Sequence, residues 1–347
     1  MKSHHAGNER VKRRYLVYLA EAQGQSQQSI DAVAAALARF ESYSRYRDFK
    51  LFHIEQAKGF KQHLSEQSAG RSGEQLSKAT LYATLSILRR FFSWLAGQPG
   101  YKSRISYSDA EYFNLSLKDA RVAKTFRPAR VPTLEQIRHV IFSMPATTDI
   151  ERRDRALLAF TILTGARDGA IASLKLRHID LVAGRVDQDA RQVNTKFSKS
   201  FSTTFFPVGD DIRAVVVEWV NYLRRDLLWG LDDPLFPATK VAVAGNRKFE
   251  AVGLDRKHWS NAGRIRAIFK DAFAACGLTY FNPHSFRNTL ALLGQTRCKS
   301  PEAFKAWSQN LGHEHVLTTF CSYGNLDAHR QAEIMRSFAS ATLEARG

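Results

Sequence analysis

Residues 282–293 read Asn-Pro-His-Ser-Phe-Arg-Asn-Thr-Leu-Ala-Leu-Leu. His284 and Arg287 are three apart at the start of an expected helix, so they share one face of it. An imidazole beside a guanidinium suits a phosphate. The arginine stays charged at any working pH and offers forked donors, and the histidine can take or return a proton. Alone, such a pair arises by chance in many chains, so its neighbours matter. Arg167 follows Leu163-Thr-Gly165 at a break between expected helices. Lys196 and Lys199 lie in a strand or its turn, VNTKFSKSF at 193–201. His313 sits in LGHEH, and Tyr323 comes ten residues later in TTFCSYG at 318–324. Each alone has a plainer explanation: a surface arginine, a solvated lysine, a half-buried core tyrosine. What counts is their co-occurrence, in this order, in a strongly basic chain.

The chain has 347 residues, 24% of them charged, with 44% in the apolar set, which is enough side chain to build the cores of two domains. The longest apolar candidate, around Ala156–Leu163, is far short of the ~20 residues that span a bilayer. The polar start MKSHHAGNERVKRR lacks the apolar run of a secretory signal. Lys plus Arg is 51 against 33 Asp plus Glu, a formal net charge of +18. Such a surplus repels its own compact state and points to a polyanion partner, with nucleic acid foremost. Residues 1–130 carry +11 of it and the longer remainder +7. Cys276, Cys298 and Cys321 form no C-x-x-C pair, so neither a disulfide framework nor a thiolate zinc site is expected, and a reducing cytoplasm is the default compartment. His313-Glu314-His315 has the wrong spacing for a two-histidine metal helix. No G-K-[ST] follows Gly165 and no G-x-S-x-G occurs, so nothing supports a nucleotide loop or a serine elbow.

Organisation along the chain is mainly α with a small antiparallel β-sheet. Apolar residues at helical spacing (Ile30, Val33, Leu37, Phe40, then Leu81, Leu85, Leu88, Phe92, Leu95) predict a helical domain over residues 1–117. A basic linker, 118–131, follows. Lys118, Arg121, Lys124, Arg127 and Arg130 recur at every third residue, as a strap lying along phosphates would. The second domain, 132–347, opens with Thr133 and Gln136 in a capping-box pattern. Expected helices cover Ile137–Met144, Asp154–Leu163, Ile212–Leu228, Ile265–Cys276 and Ala328–Leu343, with short strands at Val186–Asp189, Gln192–Phe197 and Thr203–Val208.

Taken together, these segments resemble the tyrosine recombinases, or phage-type integrases, over nearly the whole chain. TGARDGAIASLKLRHIDL resembles that family's first arginine box, VNTKFSKS...FFPV its hairpin lysine, PHSFRNTLALL its H-x-x-R box, and LGHEHVLTTFCSYG its final histidine-to-tyrosine segment. The basic helical N-terminus is similar to the core-binding domain. Two features depart from the pattern. Ala170 stands where the family often has an acidic residue, which puts the bracing of Arg167 in question. The histidine-to-tyrosine spacing is ten where nine is common, so Ser322 occupies the usual nucleophile position and Tyr323 the next.

The resemblance implies cleavage and rejoining of DNA through a 3′-phosphotyrosyl intermediate. Arg167 and Arg287 would clamp the non-bridging oxygens as charge gathers on them. Tyr323, with a phenol pKa of about 10 in water, would attack, and His284 would take its proton. Lys196 would protonate the leaving 5′-oxygen, with Lys199 as the second choice and otherwise a phosphate contact. His313 would bond the phosphate and help place Tyr323. No cofactor and no metal are implied. The implied partners are double-stranded DNA with specific crossover sites, held between the two domains as in a C-shaped clamp, further copies in a homotetramer on paired sites (a monomer when free), and an accessory directionality protein. The Ala328–Leu343 helix would dock on its own domain or on a neighbour. Integration or excision of a mobile element is the expected role. The alternatives are a catalytically silent DNA-binding protein of the same fold and a type IB-like topoisomerase.

Overall fold

The computed structural model describes residues 4–67, 75–125, 130–243 and 248–314, and beyond them only positions 316, 329, 331–333, 335 and 336. Among the described residues no helix is long and apolar enough to cross a membrane. The chain divides into two compact units, Met1–Thr125 and Phe126–Gly347.

The first unit is helical: α1 (Ala6–Val17), α2 (Gln27–Tyr43), α3 (Ile54–Glu66), α4 (Lys78–Ala96), the single turn α5 (Tyr107–Ala110) and α6 (Leu117–Lys124). Serine hydroxyls cap α2, α4 and α6. The hydroxyls of Ser26, Ser77 and Ser116 accept the N–H groups of Ser29, Thr80 and Asp119, satisfying donors that the first turn leaves unpaired. The stripes read at helical spacing on α2 and α4 are buried. Between them lies a core of rings: Phe40, Phe49, Phe52, Phe60, Phe91, Phe92 and Phe113, with Phe52 stacked on Phe92 at 4.1 Å. Asn8, Glu41 and Thr84 are polar side chains buried in this unit. Asn8 is fully buried; its Nδ2 donates to the Arg47 carbonyl at 2.9 Å and its Oδ1 accepts the Phe49 N–H at 3.0 Å. It thereby fixes the path of the chain between α2 and α3.

The basic stretch expected to be an extended linker from residue 118 is, up to Lys124, the helix α6. Ser116 caps it, Lys78 on α4 pairs with Asp119 at 2.9 Å, and Lys124 lies 5.1 Å from the Tyr82 ring centroid. Cations every third residue are compatible with a helix as well as with a strap, and here the cap and the packing on α4 decide for the helix.

The second unit holds α7 (Leu134–Ser143), α8 (Asp149–Thr164), α9 (Asp168–Ile171), α10 (Asp210–Asn221), α11 (Gly263–Ala275), α12 (Pro283–Arg297) and α13 (Pro301–Asn310). The capping box at its start is formed: Gln136 N–H donates to Thr133 Oγ1 at 3.2 Å, and Thr133 N–H to Gln136 Oε1 at 3.0 Å. From Ala156 to Thr164, α8 is buried on every side, so it is the central helix of this core. A three-stranded antiparallel sheet, β1 (Ile179–Asp180), β2 (Arg185–Gln188) and β3 (Phe201–Thr204), lies beside it in the order β1-β2-β3.

Two of the expected strands differ. Gln192–Phe197 is a turn, because the Asp189 carbonyl accepts the N–H groups of both Gln192 and Val193 and curls the chain. The strand expected over Thr203–Val208 stops at Thr204, where the chain leaves the sheet and Phe206 N–H bonds the Leu163 carbonyl at 2.7 Å instead. A second hairpin, β4 (Ala238–Val243) with β5 (Phe249–Asp255), was not expected from the sequence.

Replacing Asn8 with Ala leaves a buried N–H and a buried carbonyl unpaired. The expected cost is about 1–3 kcal/mol of stability, read as a lower urea midpoint of the helical unit. A midpoint unchanged from the parent would show that Asn8 does not fix that loop.

Candidate active site

The central helix α8 stops because Gly165 adopts φ 59° while its N–H still reaches the Thr161 carbonyl at 2.8 Å. A left-handed turn at this place favours glycine. An added Cβ would also come within 3.0 Å of both Leu290 and Leu311. The stop delivers Arg167 to the N-cap of α9. Its guanidinium is half-buried, and desolvation pulls its pKa below the ordinary value with no carboxylate to offset it among the described residues. Ala170, standing where an acid was expected by resemblance, is buried at 2% exposure. The nearby acid, Asp168, faces elsewhere. Its Oδ2 pairs with Arg266 Nε of α11 at 2.7 Å and its Oδ1 accepts the Gly169 N–H at 2.9 Å. It braces the short helix rather than the arginine.

Arg287 lies one turn into α12. Asn282 caps that helix by accepting the Ser285 N–H at 3.1 Å, and Thr289 ties it to the Pro132 carbonyl at 2.6 Å. Phe286 packs on Phe269 with ring centroids 4.9 Å apart, which turns the neighbouring side chain inward to the site. Arg287 is only 3% exposed. Its Nη1 donates to the Gly165 carbonyl, and its Nη2 donates to the Leu311 carbonyl at 2.6 Å and lies 3.1 Å from His313 Nε2. Burial and the charge of Arg167 push its pKa down to about 9, so it remains a cation at neutral pH. Its buried Nε finds no hydrogen-bond partner among the described residues.

His313 enters the site because α13 ends at Asn310 and Gly312 turns the chain at φ 70°. Burial, followed by the charges of Arg287 and Arg167, drives its pKa down to about 4. The ring is therefore neutral at pH 7. Since Nε2 faces a donor that keeps its proton at neutral pH, Nε2 accepts and the ring proton sits on Nδ1. His284 is exposed at the start of α12, and its pKa is likewise lowered, by desolvation and then by Arg287, Arg167 and Lys196, against an opposing pull from Asp168. Those causes place Lys196 in the same field as the two arginines. The lysine stands in a single helical turn, Lys196–Ser198, between β2 and β3. That turn is tied to α9, because Asn194 N–H donates to Ser173 Oγ at 2.8 Å and Ser173 Oγ donates to the Ala170 carbonyl at 3.0 Å.

The structure thus brings Arg167, His284, Arg287 and His313 together, with the charge of Lys196 felt at His284. Lys199 forms an ion pair with Glu314, next to His313. Lys118, Arg121 and Lys124 are exposed on α6 of the other unit, and Arg130 is exposed. Tyr323 and Arg127 lie outside the described residues, as do ten of the sixteen residues of the helix expected over Ala328–Leu343; the six described ones are helical. Among the described residues no group of three or more His, Cys, Asp or Glu side chains could hold a metal ion. Sequence reasoning did not find Ser173, Arg266, Asn310 or Glu314 as parts of this site. Their contacts join positions far apart in the chain, and none has a local spacing that announces it.

The family described as the phage integrase family matches residues 133–330. The chain belongs to this family, and it is an enzyme of its class, a tyrosine-type site-specific DNA recombinase. It is 27% identical over 276 residues to the tyrosine recombinase XerC of Xanthomonas axonopodis pv. citri (strain 306), covering 78% of this chain and 75% of that protein. Among solved structures, XerH site-specific recombinase bound to palindromic difH substrate in a post-cleavage complex superposes with a TM-score of 0.60 at 20% identity, over 93% of this chain and 84% of that one. A lambda integrase tetramer bound to a Holliday junction superposes with a TM-score of 0.55 at 16% identity, over 90% and 78%. These two likenesses show the fold.

A histidine whose folded pKa is about 4 binds its proton less readily than the same residue in the unfolded chain, where the value is about 6.5. Above that unfolded value both states are neutral and the group contributes nothing. As pH falls from about 6.5 to about 4 the unfolded chain gains the proton first, so stability drops. His313→Gln is expected to lose less stability than the parent between pH 7 and pH 5, measured as urea midpoints. Equal losses would mean that His313 is not held neutral.

Proposed function

We propose that this chain cuts and rejoins DNA at specific crossover sites through a covalent 3′-phosphotyrosyl link, in the integration or excision of a mobile element. Tyr323 Oη attacks the scissile phosphorus. The Oη–P bond forms as the P–O5′ bond breaks. His284, neutral and beside the cations, accepts the phenolic proton, and Lys196 gives a proton to the departing 5′-oxygen. Arg167 and the uncommitted donors of Arg287 meet the charge that gathers on the non-bridging oxygens, where one well-placed donor contributes roughly 2.7–4 kcal/mol. His313, bonded to Arg287 through Nε2, donates its Nδ1 proton in a hydrogen bond to a phosphate oxygen and so helps place Tyr323. The link conserves the energy of the broken ester, so a 5′-hydroxyl from another strand reverses the step without a nucleotide.

The observation that carries this reading is the charge in the site. Two arginines and a lysine surround two neutral imidazoles, and no carboxylate neutralises Arg167 or Arg287 among the described residues. Such a cluster is completed by an anion, and a phosphodiester in a +18 chain is the one that fits. The partners in this proposal are double-stranded DNA and further copies of the chain, four on two paired sites, with an accessory protein setting direction. The XerH structure, a complex with difH substrate, and the lambda integrase structure, a tetramer bound to a Holliday junction, support the first two.

The test is a nicked duplex carrying the crossover site of the chain's own element, which traps the covalent product. Wild type is expected to give an adduct that Tyr323→Phe abolishes, and Lys196→Ala is expected to slow its formation by about 10²–10⁴-fold. An adduct that persists in Tyr323→Phe and disappears in Ser322→Ala would move the nucleophile. Binding without any adduct would favour a silent DNA-binding protein, and relaxation of supercoils without recombinants a topoisomerase.

A further inference from the structure

The turn that carries Lys196 is fastened to the turn that carries His313 through one side chain that takes no part in the chemistry above. β3 is the edge strand of its sheet, and an edge strand presents backbone N–H and C=O groups that pairing within the sheet does not use. Asn310, the last residue of α13, supplies both missing partners of Thr204. Its Oδ1 accepts the Thr204 N–H at 2.7 Å, and its Nδ2 donates to the Thr204 carbonyl at 2.8 Å. The amide side chain thus replaces one residue of a neighbouring strand. A third bond runs from Thr203 Oγ1, on a side chain 1% exposed, to the Asn310 carbonyl at 3.1 Å. Further along, Gly312 lies against the Phe201 ring so closely that an added Cβ would stand 2.7 Å from it. Lys199 then pairs with Glu314. Residues 204, 201 and 199 therefore meet 310, 312 and 314 in antiparallel order, with His313 between the last two contacts and Lys196 just beyond them.

We propose that Asn310 is a positioning residue for Lys196. It fixes the height of the lysine turn against the histidine turn, so that the donor to the leaving oxygen and the Arg287–His313 pair keep one geometry. This inference rests on the reading of Lys196 as that proton donor. The outermost contact, Lys199–Glu314, is solvent-accessible and of a kind that contributes little. The packing of Phe201 on Gly312 is apolar and permits sliding. The three directional bonds of Asn310 are what set register. Only a side chain with a donor and an acceptor on one planar group can make the pair to Thr204; an aspartate lacks the donor and an alanine lacks both.

The experiment compares two nicked duplexes, one with the natural ester and one with sulfur in place of the bridging 5′-oxygen. With sulfur, the Oη–P bond forms and the P–S bond breaks with its electron pair leaving as a thiolate, which needs no proton. A defect in proton delivery is therefore erased by sulfur, and a defect in phosphate binding or in the nucleophile is not. Asn310→Ala is expected to cleave the natural ester at least about 10-fold more slowly than wild type and the sulfur ester within about 3-fold of it, with DNA affinity unchanged. Because any unfolded fraction lowers both rates equally, the ratio of the two rates is independent of stability. Thr203→Val, which removes the third bond and keeps the shape, is expected to shift the ratio the same way by a smaller factor. Lys196→Ala is the reference. If sulfur rescues Lys196→Ala but Asn310→Ala is equally slow on both duplexes, Asn310 does not position the lysine. If sulfur fails to rescue Lys196→Ala, the donor assignment itself falls, and the role given to Asn310 falls with it.

Discussion

A guanidinium with almost no access to water holds the candidate site of the second unit together. Arg287 reaches the carbonyl where the central helix stops, the carbonyl where α13 has ended, and the ring of His313. Those segments are 122, 24 and 26 residues from it in the chain. A buried cation without a carboxylate is costly, and here the oriented dipoles of two carbonyls offset part of that cost. A truncated side chain would leave both carbonyls unpaired and remove the reason for His313 to face inward. The Gly165 stop, the Leu311 carbonyl and the His313 ring are therefore held to one another by a single residue's donors.

The same arrangement sets the protonation of the site. Arg287 and Arg167 lie close enough to each other and to both imidazoles that every further positive charge is disfavoured, and His284 and His313 respond by staying neutral. An acid beside Arg167 would relax this field. Ala170 occupies the place where the resemblance led one to look for such an acid, and Asp168 spends its charge on Arg266. The uncompensated field is what a phosphodiester would neutralise on arrival, and a base poised as neutral imidazole is what a phenolic nucleophile requires. Local structure, a glycine stop and a short helix capped by Arg167, thus leads directly to the electrostatics on which the proposed reaction depends.

Much of this could be read in the sequence, because the elements that carry it are local. The apolar stripes on α2 and α4, the capping box at Thr133 and the helix opening at Asn282 are each specified within a few residues. The Arg167, His284, Arg287 and His313 boxes were legible for another reason: their order along the chain resembles a family. What was not legible depended on distant pairings. Gln192–Phe197 has the composition of a strand, yet the Asp189 carbonyl turns it, and Lys196 follows in a single helical turn. The run of cations from Lys118 reads equally as strap or helix until α4 is there for α6 to pack on. Asn310 reads as an ordinary helix end, and only the free edge of β3 gives it a purpose.

The two arginines, alike in sequence, are unlike in structure, and the difference assigns their work. A guanidinium has five N–H donors. Arg287 commits three of them to the protein, is 3% exposed, and so can turn little toward a ligand. Arg167 is half-buried at the tip of α9, and its pKa falls from desolvation alone. It has donors to spare and a path to solvent. In the proposed reaction Arg167 is then the principal phosphate ligand, and Arg287 contributes chiefly by holding His313, the Gly165 stop and its own residual charge in place. The lysine completes the set from a third direction, on a turn anchored by Ser173 on one side and Asn310 on the other. A site built this way assembles its geometry from the backbone of several separated segments. The chemistry is then concentrated in the few side chains that the backbone leaves free to reach the substrate.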